Sequence, residues 1–356
     1  MEPNFDDLLK VLNREEPKKV PLYEHIVDNS IMKAVLQKNP SPLRSETKPL
    51  RKQKVYIRYL LDFFSGLGYD YIPLELEMTL PRNNIIIGSY NEPLGIKKRF
   101  WVDENRSTIA TQEECDEYPW PEPENAVDYK MLKAAAKILP KRMKLVSGVA
   151  GGVFEHVLWL VGFVPFSKAM RQQPKFVKNI FNKVGKLIEE VDKIIAEEEI
   201  VGSMRMGDDL GYNRGPMLNP KDLKKYVFPW HKRIAEVSHK KGKPFILHSC
   251  GNLEKVIDLL IDYVKIDAWH SFQDNILPVI DAKKRFGHRV AILGGVDVDI
   301  LSREDKGVVR NYSRNILKKC KKNGGYAFGS GNSIPNYIKV ENYLEMIDVW
   351  KKYAKY

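Results

Sequence analysis

The stretch KPFILHSCGNLEKVIDLLIDYVKIDAW, residues 243–269, holds the architecture in miniature. Lys243 to Leu247 is an apolar run of strand length, and Gly251-Asn252 turns the chain. Leu253 to Tyr263 repeats its apolar residues at helical spacing, and Val264 to Trp269 is strand-like again. Strand, loop, helix and strand with short connections make a parallel pair with a crossover helix. Beyond the first strand, His248 and Cys250 stand two residues apart, so their side chains leave the same side of an extended chain. An imidazole and a thiolate so placed make half of a zinc site, or equally a base and a nucleophile.

The rhythm continues in both directions. Ile200 to Met206 reads as a strand, followed by the polar loop Gly207 to Asn213 and a helix through roughly His239. Asn219 is its N-cap and Pro220 its first residue. Ile276 to Phe286 is a helix and Arg289 to Leu293 a strand. Ser302 caps a long helix through Lys322, Gly325 to Phe328 is a strand, and Val340 to Lys355 is the last helix. Tyr69 to Leu74 and Met143 to Val146 bring the strands to seven, with the eighth not placed. This periodicity predicts a single α/β domain over residues 1–356, a distorted (β/α)8 barrel of the TIM type. Residues 1–60 look helical and form an N-terminal extension. Residues 76–135 carry Pro81, Pro93, Pro119, Pro121 and Pro123, with strand-like pieces at Ile85 to Ile87 and Arg99 to Val102. They are expected as an insertion over one barrel end. No G-x-G-x-x-G follows a strand, which weakens a dinucleotide-binding reading.

A hydrophobic content of 43% is ample for a buried core. The acidic, polar start lacks the features of a secretory signal. The longest apolar run, Val157 to Phe166, is about half the roughly 20 residues of a membrane span. A soluble, cytoplasmic protein without a membrane partner is expected. Cys115, Cys250 and Cys320 form no disulfide framework, which fits a reducing compartment. The net charge of +12 comes from lysines scattered over helix-like segments without interleaved aromatics, so nucleic acid is not an expected partner. The charge reads as solvated helix faces, or as attraction of an anionic substrate or cofactor.

In such a barrel functional groups gather at the C-terminal ends of the strands. That rule selects Glu75 and Glu77, Glu155 and His156, Asp208 and Asp209, His248 and Cys250, His270, Asp297 and Asp299, and Ser330, Asn332 and Ser333. His248 and Cys250 are candidate metal ligands. A mononuclear catalytic zinc needs a third, for which Glu155 is the candidate; it is alternatively a substrate carboxylate or an ordinary residue of a helix N-terminus. Asp208 and Asp209 in their glycine-containing loop are candidate catalytic residues, as are Asp297 after Gly294-Gly295 and Glu155 itself. Tyr212, His270 and Asn332 are candidate cofactor-binding residues.

Several segments, in order, resemble the uroporphyrinogen decarboxylase superfamily: Gly207-Asp208-Asp209-Leu210-Gly211, Gly215 to Pro220 leading to Phe228-Pro229-Trp230, His248-Ser249-Cys250-Gly251-Asn252, Gly294-Gly295-Val296-Asp297, Gly329 to Ile334 and Glu341-Asn342-Tyr343. Tyr118-Pro119-Trp120-Pro121 is similar to the methyltransferase-like members. The resemblance implies a (β/α)8 barrel and one of two chemistries. True decarboxylases of the family carry an arginine-rich M-R-Q-A-G-R-Y signature, whereas the corresponding region here is Val20-Pro21-Leu22-Tyr23-Glu24-His25-Ile26. In the thiol-methylating branch the residues matching His248 and Cys250 are zinc ligands. A further cysteine falls near the turn where Ser330 stands here. The resemblance therefore implies an enzyme, a methyltransferase acting to or from a corrinoid protein on a small-molecule methyl donor or acceptor, with Zn2+ as metal. The corrinoid would arrive on a partner, because the chain has no D-x-H-x-x-G motif. The alternative is a decarboxylase acting on a porphyrinogen or another carboxylate, and a third, non-enzymatic reading is a tetrapyrrole or corrinoid carrier.

Overall fold

Parallel strands succeed one another around a curled sheet, and each pairs with the next in chain order. Among the residues described by the computed structural model (2–38, 50–92 and 95–356) there are seven. They are β1 Tyr71–Leu76, β2 Lys144–Val149, β3 Val201–Gly207, β4 Phe245–His248, β5 Ala268–His270, β6 Ala291–Leu293 and β7 Tyr326–Ala327. Every residue of β4, β5, β6 and β7 is buried. That is why these strands read as unbroken apolar runs: a parallel strand is covered on both faces. The outer layer is helical. Helix Pro174–Glu197 has proline at its first turn and buries Val177, Phe181, Val184, Ile188, Val191 and Ile195 along one stripe. Gly185 on that stripe lets the Trp230 ring lie where a Cβ would otherwise stand, 2.2 Å from it.

The eighth position is filled from within residues 1–60, the segment read as a helical extension. Helices do occur there, Phe5–Leu12, Asn29–Leu36 and Leu50–Leu67. Between the first two, residues 19–27 are extended and largely buried. Leu22 bridges Phe328 in parallel, and Val27 bridges Ile334. The Tyr23 N–H donates to the Phe328 carbonyl at 2.8 Å, and the Phe328 N–H donates to the Pro21 carbonyl at 2.9 Å. The Trp350 indole on the last helix donates to the Val20 carbonyl at 2.7 Å. On the β1 side a side chain replaces the ladder. The Tyr71 hydroxyl accepts from the Glu24 N–H at 2.8 Å and donates to the Glu24 carbonyl at 2.7 Å. This (β/α)8 barrel is thus closed by an extended segment wedged between β7 and β1.

Other boundaries shift for identifiable reasons. The expected helix from Asn219 starts as read, with Asn219 capping Lys221 N–H, but carries a π-turn at Leu223–Val227 before Phe228–Lys240. The long helix capped by Ser302 is two helices. Val298–Arg303 is capped by Asp297, and Lys306–Cys320 is capped by Asp305, with Ser302 inside the first. Residues 76–135 hold the antiparallel hairpin Ile85–Glu92 and Gly95–Val102, then Gln112–Glu117 and Lys130–Ala136. Ile85, Ile86, Ile87 and Trp101 of the hairpin are exposed. No single described helix is long and apolar enough to cross a membrane; Val153–Val161 and Phe163–Gln172 reach that length and composition only together, across a 98° bend.

Replacing Tyr71 by phenylalanine removes both seam bonds and strands a buried N–H and C=O. At about 1–3 kcal/mol for each unsatisfied group, equilibrium denaturation of Tyr71→Phe is expected to show a loss of roughly 2–6 kcal/mol. A change below about 0.5 kcal/mol, the scale of an ordinary surface substitution, would contradict the seam.

Candidate metal centre

Register builds the centre. His248 pairs with Gly207 of β3 on one side and with His270 of β5 on the other. The two imidazoles lie side by side, with Nδ1 of His248 2.7 Å from Nδ1 of His270. Beyond β4 the extended chain sends Cys250 to the side His248 faces, and Sγ lies 3.5 Å from His248 Nε2. Ser249 points away, and its hydroxyl accepts from the Leu210 N–H at 3.0 Å, fixing the loop that carries the aspartates. The Asp209 carboxylate accepts from the Cys250 N–H at 2.8 Å. One ligand atom each from Asp209, His248 and Cys250 lie within 4.8 Å of one another. Gly251, with φ of +84°, permits this bend: a Cβ there would sit 2.2 Å from the Gly211 carbonyl carbon.

The proton positions follow from partners that can only accept. His270 Nε2 faces the Ser330 carbonyl at 3.1 Å, so that nitrogen carries hydrogen. Burial pulls the His270 ring down to about 3 and the His248 ring well below the usual range, with the Arg205 guanidinium acting in the same direction on both. Both rings are neutral. His270 Nδ1 is then a lone pair, the shared proton sits on His248 Nδ1, and His248 Nε2 is left bare, facing Cys250 Sγ. Burial and the neighbouring Asp209 push the Cys250 thiol up to about 12. Asn332 Nδ2 and Ser271 Oγ donate to its sulfur at 3.3 and 3.7 Å.

This donor set fits zinc. Tetrahedral zinc with Zn–S near 2.3 Å and Zn–N near 2.0–2.1 Å places sulfur and nitrogen about 3.6 Å apart, and the observed separation is 3.5 Å. The hydrogen bond at the distal nitrogen of a ligating histidine is also present, in His270.

The other candidates take separate places. Asp208 is fully buried, and its two oxygens accept from the Phe154 and Glu155 N–H groups and contact His231 Nε2 at 2.7 Å. It ties the N-terminus of helix Val153–Val161 to β3 and builds the site rather than lining it. Glu155 lies in the first turn of that helix, outside the three-residue cluster. Burial, then the Asp208 and Asp209 charges, raise its carboxyl well above the usual range. His156 packs on Trp159 and contacts the Ala150 carbonyl. Asp297 caps its helix and accepts from the Asp274 N–H at 2.8 Å. Gly294, with φ of +77°, approaches the Ser330 carbonyl and the His270 ring, not open space. Tyr212 is exposed on the small hairpin Gly211–Tyr212 and Gly215–Pro216, and both ring nitrogens of His270 are engaged within the protein.

Sequence reasoning missed the closing segment. His25 stacks on His248 with centroids 3.7 Å apart and planes 6° apart, and its Nδ1 is buried without a hydrogen-bond partner. The fully buried Arg205 donates to the His25 carbonyl at 2.7 Å and pairs with Glu75 at 3.0 Å. An arginine inside an apolar strand was the available signal for this pair. Glu24 accepts from the Ser330 N–H at 3.0 Å and bonds to the Ser330 hydroxyl. That hydroxyl also donates to the Asn332 carbonyl. Ser330, where the resembling family places a further cysteine, therefore turns its side chain toward the closing segment.

The family model described as uroporphyrinogen decarboxylase (URO-D) matches residues 102–353. A uroporphyrinogen decarboxylase of Anaeromyxobacter sp. (strain Fw109-5) is 25% identical over 256 residues, 69% of this chain and 70% of that one. The uroporphyrinogen decarboxylase of Carboxydothermus hydrogenoformans is 22% identical over 298 residues, 80% of this chain and 78% of its own. Among solved structures, a methyltransferase from Methanosarcina mazei superposes with a TM-score of 0.71 over 99% of both chains, at 12% identity, a likeness of fold.

Burial pushes the Glu24 carboxyl up from 4.5 to about 8. The native state keeps a proton that the unfolded chain releases, so this contribution is full below pH 4.5 and is lost as pH rises through about 8. Glu24→Gln is expected to flatten that part of the stability–pH curve in denaturant titrations, while buried Asp192, also raised to about 8, keeps its own share. An unchanged slope would show that Glu24 is ionised in the folded protein at neutral pH.

Proposed function

The chain belongs to the uroporphyrinogen decarboxylase family, and on that premise we propose that it is a methyltransferase moving a methyl group to or from a corrinoid on a partner protein, with Zn2+ held by His248, Cys250 and Asp209. The observation that carries this reading is the bare His248 Nε2 set 3.5 Å from Cys250 Sγ, beside Asp209, at the C-terminal mouth of the barrel. Zinc supplies a Lewis acid that lowers the pKa of a thiol or comparable acidic group on the substrate. Asn332 and Ser271, by donating to the Cys250 sulfur, favour its anionic form. Burial and the neighbouring aspartates raise the Glu155 carboxyl well above the usual range, and we assign it proton donation to a leaving atom or proton exchange with the substrate.

Charge supports methyl transfer over decarboxylation of a porphyrinogen. A polycarboxylate needs cations, and the closing segment offers Glu24 and His25 in the region where the family's decarboxylases carry arginines. Arg205, the cation acting on His25, His248 and His270, is spent on Glu75 and the His25 carbonyl.

Purified protein is expected to hold about one zinc per chain and to demethylate methylcobalamin in the presence of a small thiol, read as loss of the methylcobalamin absorbance. Cys250→Ala should lose the metal and slow the reaction by at least about 100-fold. Full activity without zinc would overturn the metal assignment, and turnover of uroporphyrinogen with no methyl transfer would overturn the reaction.

A further inference from the structure

We propose that Glu24 is a positioning residue for the metal centre: through Ser330 and His270 it dictates which nitrogen of His248 is free. The inference deepens the metal reading above and rests on it for its consequence, though the proton pattern itself does not need a metal.

The chain of contacts has one direction. Glu24 is fully buried with no ion-pair partner among the described residues, and it grips Ser330 at both the peptide N–H and the hydroxyl. The preceding Gly329 packs so closely on the closing segment that a Cβ there would meet the Tyr23 carbonyl at 1.7 Å, so the turn has little freedom. Holding this turn, together with the Gly295 N–H that donates to the same carbonyl at 3.0 Å, aims the Ser330 carbonyl at His270 Nε2. A carbonyl only accepts, so His270 must donate from Nε2 and accept at Nδ1, and His248 must donate from Nδ1. A proton on both His270 nitrogens would instead put a charge on a fully buried ring that has no carboxylate partner among the described residues. A single hydroxyl proton on Ser330 also faces two acceptors, the Asn332 carbonyl and Glu24. A neutral Glu24 carboxyl resolves this by donating to the hydroxyl oxygen, as a glutamine amide would.

Glu24 stands outside the reacting groups, so its test needs a readout that a loss of stability alone does not move. Long-range 1H–15N spectra of metal-free full-length protein with 15N-labelled histidine rings report each tautomer, and cobalt(II) titration followed by the thiolate-to-cobalt absorption band reports affinity. Wild type is expected to show Nδ1–H at His248 and Nε2–H at His270. Glu24→Gln should retain that pattern and bind cobalt within about threefold of wild type. Glu24→Leu, similar in size and apolar, should mix the His248 tautomers and weaken cobalt binding about 10- to 100-fold, the range for loss of a group orienting a ligand. Glu24→Asp, which keeps a buried acid but withdraws it from Ser330, should move the same way by a smaller amount and serves if the leucine variant does not fold. Nε2–H at His248 in wild type, or a wild-type tautomer pattern and cobalt affinity in Glu24→Asp and in any folded Glu24→Leu, overturns the proposal. The expected tautomers with no cobalt bound at any concentration would instead sink the metal reading and leave the proton relay standing.

Discussion

One phenol closes the barrel. Tyr71 places its hydroxyl between the N–H and C=O of Glu24, where a backbone rung is missing. The segment it holds is short, and on its other side it is paired by isolated bridges, at Leu22 with Phe328 and at Val27 with Ile334. Yet this segment sets much of the site. It lays His25 over His248, receives Arg205 at the His25 carbonyl, and brings Glu24 against Ser330. A seam made of ordinary ladder bonds would have closed the sheet equally well. A seam made through side chains also feeds the interior of the mouth with polar groups whose partners are fixed.

The electrostatics of the mouth are opposite to those of the chain. The sequence carries +12, but the groups around the histidines are carboxyls and neutral rings, with Arg205 neutralised by Glu75. Burial raises the Glu24 and Glu155 carboxyls and lowers the imidazoles, because a buried charge without a partner is costly. The result is a set of soft and neutral donors, bare nitrogen and thiol, with Asp209 as the nearby anion. Such a set favours a borderline-soft divalent cation over a polyanionic ligand. The lysines, meanwhile, occupy the outer helices, as at Lys318 and Lys319 in the last turn of Lys306–Cys320.

Much of this was legible because the barrel repeats itself. All seven strands read from apolar runs are present, with edges moved by one to a few residues. The Val264 to Trp269 run shows why: a π-turn through Val264 and a left-handed Lys265 delay the strand until Ala268, and no periodicity marks such a turn. The closing segment was not legible. Pro21, Glu24 and His25 break its apolar pattern, and Glu24 finds Ser330 across 306 residues of sequence. Within the site, the i, i+2 spacing of His248 and Cys250 gave their convergence directly. The adjacent Asp208 and Asp209 were indistinguishable on paper. An extended chain sends neighbours to opposite sides, one to a helix N-terminus and one to Cys250.

Zinc K-edge X-ray absorption on the purified, zinc-loaded protein tests the convergence of Asp209, His248 and Cys250 most directly. One sulfur near 2.3 Å, an imidazole nitrogen and oxygen scatterers near about 2.0–2.2 Å are the predicted first coordination sphere. A sphere with no sulfur, or with two or more, would contradict it.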